Sequence, residues 1–351
     1  MMQWDAGRAE QRTGQRGERA GSRGWRSALR RWLLAACLAL PVGPALAQAV
    51  ASAGAKLDGP LTVLVGYAPG GASDRIARLV AERLQQRLGV PVVVENKSGA
   101  GGRLAAQWMK GAGERNVLML ANPAVMVVAP LVYGKLEYAA DDFRPVAMVC
   151  RYEFALAVPA SAEVKDFAGL RSWLKAHPAQ FNVGVPATGS LPHFFALMLG
   201  QALALEPQAV GYRGSGPLLT DLIGGVLGQA IDTLDTVLPQ HQAGKVRVLA
   251  VSGAQRSASL PDVPTFREVG VDLVADGWNA FFAPASMPPE RAAWLGKEIA
   301  AVMAAPDMQA QVRAINLEPL ALDADATAQA LAAYRRQWEP VVRASGFKAE
   351  Q

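Results

Sequence analysis

"LTVLVGYAPGGASDRIARLVAERLQQRLG", residues 61–89, sets the reading of the whole chain. "LTVLVGY" (61–67) is a short continuous apolar run, as a strand buried on both faces requires. Pro69 and the Gly70-Gly71 pair follow, where the backbone turns tightly with no Cβ in the way. Over 72–88 the apolar residues Ile76, Leu79, Val80, Leu84 and Leu88 recur at helical spacing, and Gly89 supplies the stop. The turn therefore gathers N–H groups without intrahelical partners at the positive end of a helix dipole. A carboxylate or phosphate is favoured there with no cationic side chain. Taken alone, the loop fits an anion site and an ordinary strand-to-helix turn equally. Its candidate contacts are Tyr67, Gly70, Gly71, Ala72, Ser73 and Asp74, although Asp74 also suits the dipole and is spaced to pair with Arg78.

The same rhythm continues. "VPVVVEN" (90–96) reads as a strand, "SGAGGRLAAQWMKGA" (98–112) as a glycine turn and helix, and "NVLMLAN" (116–122) as a strand ending at Asn122, a further candidate contact. This βαβαβ order predicts a parallel sheet covered on both faces. "RPVAMVCRYEFALAVPA" (144–160) is too long for one ordinary strand, and reads as two strands or as one that bends between lobes. Further helices are expected near 164–176, 191–204 and 215–224, with strands near 181–187, 209–214, 229–234 and 245–253 and, with a proline exit, over 277–290. Two helices, 289–304 and 326–344, finish the chain. If the apolar stretches 144–158 and 278–284 run side by side, the chain crosses twice between two α/β lobes. The first lobe is then 48–150 with 279–351, the second 151–278. Ligands of open α/β sheets sit at the carboxyl ends of strands, so the cleft between lobes is the expected site.

Residues 1–47 do not belong to that fold. An Arg-rich region, a short apolar run and Ala45-Leu46-Ala47 describe a secretory signal peptide cut after Ala47. "LAAC" ending at Cys37 has the form of a lipoprotein box, but only five residues separate it from Arg31, too few for a hydrophobic core. Arg30-Arg31 alone does not make a twin-arginine signal. The leader holds eight arginines against Asp5, Glu10 and Glu18, so the mature chain keeps 27 basic and 27 acidic residues and is formally neutral. The basic balance of the full chain therefore says nothing about nucleic acid or anionic membranes. Cys150 is left alone, which excludes an intrachain disulfide.

Two more loops carry candidates. "VPATGSLPHFF" (185–195) repeats the strand, Gly turn and helix start in the second lobe. Ser190, after Thr188 and Gly189, is suited to cap the helix, its hydroxyl and Thr188 could also point into the cleft as donors, and His193 is a ligand contact or a lid over the helix start. In "YRGSGPLLTDLIGGVLGQAID" (212–232) the strand-end carboxylate of Asp232 could accept from a ligand amine or hydroxyl, or cap a turn. Catalytic patterns are weak. Ser190 and His193 lack a G-x-S-x-G elbow and a nearby acid. "GAGG" lacks the Lys-Ser/Thr of a P-loop. The three histidines have no metal spacing. No cofactor and no metal are expected.

Together "VGYAPGGASDRIARLVAERLQQRLGVPVVVENKSGAGGRLAAQ", "FNVGVPATGSLPHF", "VGYRGSGPLLTDLIGG", "LPDVPTF" and "GWNAFFAPASMPP" resemble the Bug/TctC family, the extracytoplasmic solute receptors of tripartite tricarboxylate transporters. The resemblance covers essentially the whole mature chain. It implies a two-lobed periplasmic binding protein of Venus-flytrap, type II-like form, each lobe a mainly parallel sheet flanked by helices. It also implies a small mono- or dicarboxylate ligand held largely by main-chain groups of the loops 67–74 and 188–193. Transporter subunits, or a sensor kinase, would be its partners, with the receptor a monomer in the periplasm. Departures are Ile231 before Asp232 in place of an aromatic, Val226-Leu227-Gly228 for the usual Gln-Val-Asp, and Glu114-Arg115-Asn116 for Asp-Gly-Tyr. Rival readings are a sensory adaptor with the same cleft and a secreted hydrolase using Ser190 and His193.

Overall fold

The computed structural model describes residues 57–113 and 115–349. The expected leader with Cys37, and Glu114 of the departing turn, lie outside the described residues. Strand β1 (Leu61–Val65) is flanked in parallel register by β2 (Val92–Asn96) and β3 (Val117–Ala121). Helix α1 (Ala72–Leu88) turns Ile76, Val80 and Leu84 onto Leu61, Val63 and Val65, all six fully buried. Each such side chain contributes about 1.5–3 kcal/mol by leaving water. The helix ends where Gly89 takes a left-handed φ of 69° and donates to Gln85 O. Helix α2 (Arg103–Lys110) follows β2 through a tight turn at residues 100–102. After β3, a π-helical turn (Ala124–Val128) runs into α3 (Ala129–Val132), an element the apolar run "PAVMVVAP" does not announce.

Strand β4 (Phe143–Pro159) settles the long apolar stretch as one bending strand of 17 residues. Its first part pairs antiparallel with β9 (Asp276–Pro284) and β10 (Glu318–Leu322). Its last part pairs with β7 (Gln229–Thr233) and β8 (Val246–Val251). The register against β9 slips between Pro145 and Ala147 and again between Met148 and Cys150. Proline cannot donate to a ladder, and bulges of this kind bend and twist a strand. In the second lobe β5 (Asn182–Val185) lies parallel to both β6 (Gln208–Gly211) and β7. The continuous strand order is β2-β1-β3-β9-β4-β7-β5-β6. Both outer thirds are thus parallel, and the crossing strands between them are antiparallel.

Helices α4 (Phe167–Ala176), α5 (Leu191–Leu203), α6 (Ser215–Ile223) and α7 (Leu234–Gln242) belong to the second lobe. The chain ends with α8 (Pro289–Ala304), α9 (Pro306–Ala314), β10 and α10 (Ala324–Ala344). On α10, Trp338 is fully buried, stacks on Tyr334 at 5.8 Å and meets Phe154 of β4 edge-on at 6.4 Å. Tyr334 Oη donates to Asp276 O of β9 at 2.7 Å. Both crossing strands are therefore braced by one helix where they pass between lobes. No helix among the described residues is long and apolar enough to cross a membrane.

Candidate functional site

A cavity of about 640 Å³ lies at the strand ends of both lobes. On the first lobe its corner is set by a close approach of two backbones. A Cβ on Gly66 would fall 2.6 Å from Gly102 Cα, so only glycine lets the end of β1 meet the turn before α2. That contact brings Tyr67 Oη to Gly101 O, to which it donates at 3.2 Å, while Asn122 Nδ2 donates to Tyr67 Oη at 2.8 Å. Asn122 Oδ1 in turn accepts from Ala124 N at 3.1 Å and anchors the π turn. Burial pushes the Tyr67 phenol up to about 12, so it stays a neutral hydrogen-bonding group. Arg103, the first residue of α2, lays its guanidinium over the Tyr133 ring, 3.7 Å from the centroid, and both line the cavity.

The facing corner is built on α5. Ser190 caps the helix by accepting from His193 N at 3.4 Å. Gly189, at a φ of 79°, and Thr188 complete the loop, and all three residues line the cavity. Beside them β7 delivers Asp232, which is 1% exposed. Its Oδ1 accepts from Thr233 N at 2.7 Å, whereas Oδ2 is buried without a partner. Burial, against weaker opposing help from the Thr233 N–H, raises its pKa to about 7. Phe154 of β4 lies on the apolar wall between the corners, as do Val128, Ala129 and Val132. Phe347 and Ala349, beyond α10, close one side.

Six of the twelve candidates from the sequence therefore line the cavity: Tyr67, Asn122, Thr188, Gly189, Ser190 and Asp232. The other six do not. Gly70 N donates to Asp74 Oδ2 at 2.8 Å, so the glycine loop serves a carboxylate of its own helix. Asp74 also accepts from Asn96 Nδ2 at 2.8 Å and from Arg78 Nε at 3.0 Å, and is buried. Desolvation works against its charge, but those donors win and hold its carboxyl below the usual range. Ser73 Oγ donates to Asn279 Oδ1 at 2.8 Å, and Gly71 and Ala72 open α1 outside the cavity wall. Next to them Arg75 faces Asp235 of α7 at 3.9 Å, tying the loop to the second lobe. His193 is buried and accepts from Gly189 N through Nδ1 at 2.9 Å, which staples the loop rather than lining the cavity. No ring nitrogen of His193 bonds Ser190 Oγ among the described residues, so the hydrolase dyad is not formed.

The geometry separates two roles for the glycine loop. Asp74→Ala leaves Arg78, Asn96 and Gly70 N without their acceptor. We expect a loss of about 2–3 kcal/mol of stability, read in urea melts, with ligand affinity kept within about threefold because the loop lies outside the cavity wall. A large affinity loss without destabilisation would return the loop to the binding site.

Sequence reasoning missed Arg103, Tyr133, Phe154 and Phe347. Arg103 stands at the first position of its helix, where its spacing marks no contact. The others reach the cavity only through tertiary packing.

Residues 76–347 match the family model described as "Tripartite tricarboxylate transporter family receptor". The chain is 32% identical to Protein BugT of Bordetella pertussis over 301 residues, covering 82% of this chain and 90% of that protein. Among solved structures, an R. palustris protein with adipate is 30% identical with a TM-score of 0.76, covering 83% of this chain and 98% of that one. MatC from Rhodopseudomonas palustris, solved with bound malate, is 28% identical with a TM-score of 0.71, covering 81% of this chain and 99% of that one.

Proposed function

We propose a carboxylate receptor from one fixed starting point: this chain belongs to the tripartite tricarboxylate transporter receptor family. In this reading the mature protein works in the periplasm as a monomer, after removal of residues 1–47. It takes a small mono- or dicarboxylate between its lobes, closes around it by bending of β4 and β9, and presents it to transporter subunits in the membrane. No bond is made or broken.

The observation that carries the reading is the cavity itself. Its volume falls in the range of small-molecule sites, about 300–1,000 Å³. It is walled by strand ends of both lobes, with the start of a 13-residue helix on one side and a guanidinium on the other. Both favour an anion. The adipate and malate of the two related structures are ligands of the same class. Six candidate contacts (Tyr67, Asn122, Thr188, Gly189, Ser190 and Asp232) are assigned to the ligand on this basis.

The test is a thermal-shift panel of mono- and dicarboxylates on the mature protein. A true ligand at a hundred times its Kd stabilises the folded state by about 2.7 kcal/mol, a shift of several degrees. A panel in which every acid leaves the melting temperature unmoved would overturn the assignment.

A further inference from the structure

We infer that Arg103 is the specificity-determining residue of this cavity, selecting a ligand with two acid groups over one with a single acid by taking the second carboxylate in its guanidinium fork; this rests on the carboxylate-receptor reading above. Among the described residues lining the cavity, Arg103 alone carries a positive charge and Asp232 alone a carboxyl group. The guanidinium sits over Tyr133, and its Nη1 lies beside Gly101, where a Cβ would be only 3.9 Å away. Stacking on a ring fixes the plane of the fork and leaves its N–H edge free for a bidentate acceptor. None of the ion pairs among the described residues includes Arg103. Glu137 lines a smaller recess of about 230 Å³ that shares Arg103 as a wall, and it forms no ion pair with Arg103.

The opposite corner asks for a polar group of its own. There Ser190 and Thr188 stand at the start of α5, beside the buried, unpartnered Oδ2 of Asp232. Between the corners the wall is apolar: Val128, Ala129, Val132 and Phe154. A monoacid meets one corner and leaves the other unmet next to that wall. A diacid with a methylene spacer meets both, and because the corners belong to different lobes it draws them together.

The experiment compares straight-chain diacids, succinate to suberate, with monoacids of the same length on the mature protein and on Arg103→Gln, by calorimetry. Arg103 is half-exposed, and a melt of each variant checks its fold. The wild type is expected to prefer one diacid over its monoacid by about 10- to 100-fold, the worth of one charge-assisted hydrogen-bonded pair. Arg103→Gln should collapse that ratio towards one, with Arg103→Lys between. An equal ratio in wild type and Arg103→Gln overturns the inference while leaving a carboxylate receptor standing. Binding of neither class by the wild type removes both.

Discussion

Asp232→Asn should make carboxylate binding independent of pH between 6 and 9, whereas the wild type should lose affinity above neutrality. The Asp232 carboxyl is buried at the cavity wall with a pKa near 7, so below that pH it is neutral and tolerates an anion beside it. Above it a second negative charge must share a poorly solvated space with the ligand. If only the neutral form binds, affinity falls up to about tenfold per pH unit between 7 and 9. The asparagine keeps shape and polarity but cannot ionise. Isothermal titrations at four pH values decide the matter, and affinity that rises with pH in the wild type would mean that a ligand cation, not an acid, meets Asp232.

The same group also shapes stability. A carboxyl whose folded pKa lies above its unfolded value keeps its proton longer in the native state. Folding stability therefore falls as pH rises from about 4 to about 7, and is level beyond. Glu153 adds to this slope. Burial, eased by Arg151 and worsened by Asp276 and Glu318, raises it to about 7 as well. It lines a separate cavity of about 530 Å³, so it alters stability in Asp232→Asn without touching the ligand profile.

Trp338→Ala is expected to destabilise the fold by about 3–5 kcal/mol. The side chain is fully buried between Tyr334 and Phe154, and its removal opens a cavity under the crossing strands. Because Phe154 also lines the ligand cavity, affinity should fall together with stability. Trp338→Phe is the control. The indole Nε1 has no partner, so losing it abandons no hydrogen bond, and most of the ring packing remains. Equilibrium urea unfolding measures both variants; a loss below about 1 kcal/mol for the alanine would show that α10 does not brace the strands.

The lobes were legible because their signals are local. Helix α1 shows its period and its glycine stop within 18 residues, and its observed bounds are those expected. The long stretch 144–160 leaves one strand or two open in the sequence, because that choice depends on partner strands far along the chain. Helix α7 was hidden because it begins directly where β7 ends, with no turn residues and with Pro239 inside it. Strand β10 gives little signal because "EPLAL" carries a proline and buries no position fully. In the opening glycine loop Asp74, four residues after Gly70, takes Gly70 N in the fold, a pairing that the spacing to Arg78 does not show. Arg103 stands in plain view after "GAGG", yet its value comes from Tyr133, thirty residues on, and spacing does not reveal that meeting.

The last described residues form a clasp. Ala349 N donates to Val132 O at 3.0 Å on one lobe, while Phe347 meets His193 edge-on at 5.3 Å and lies under Gly189 on the other. In the receptor reading proposed above, widening the cavity would part Ala349 from Val132 or Phe347 from Gly189. A fluorophore placed on the tail is therefore expected to change intensity when ligand is added.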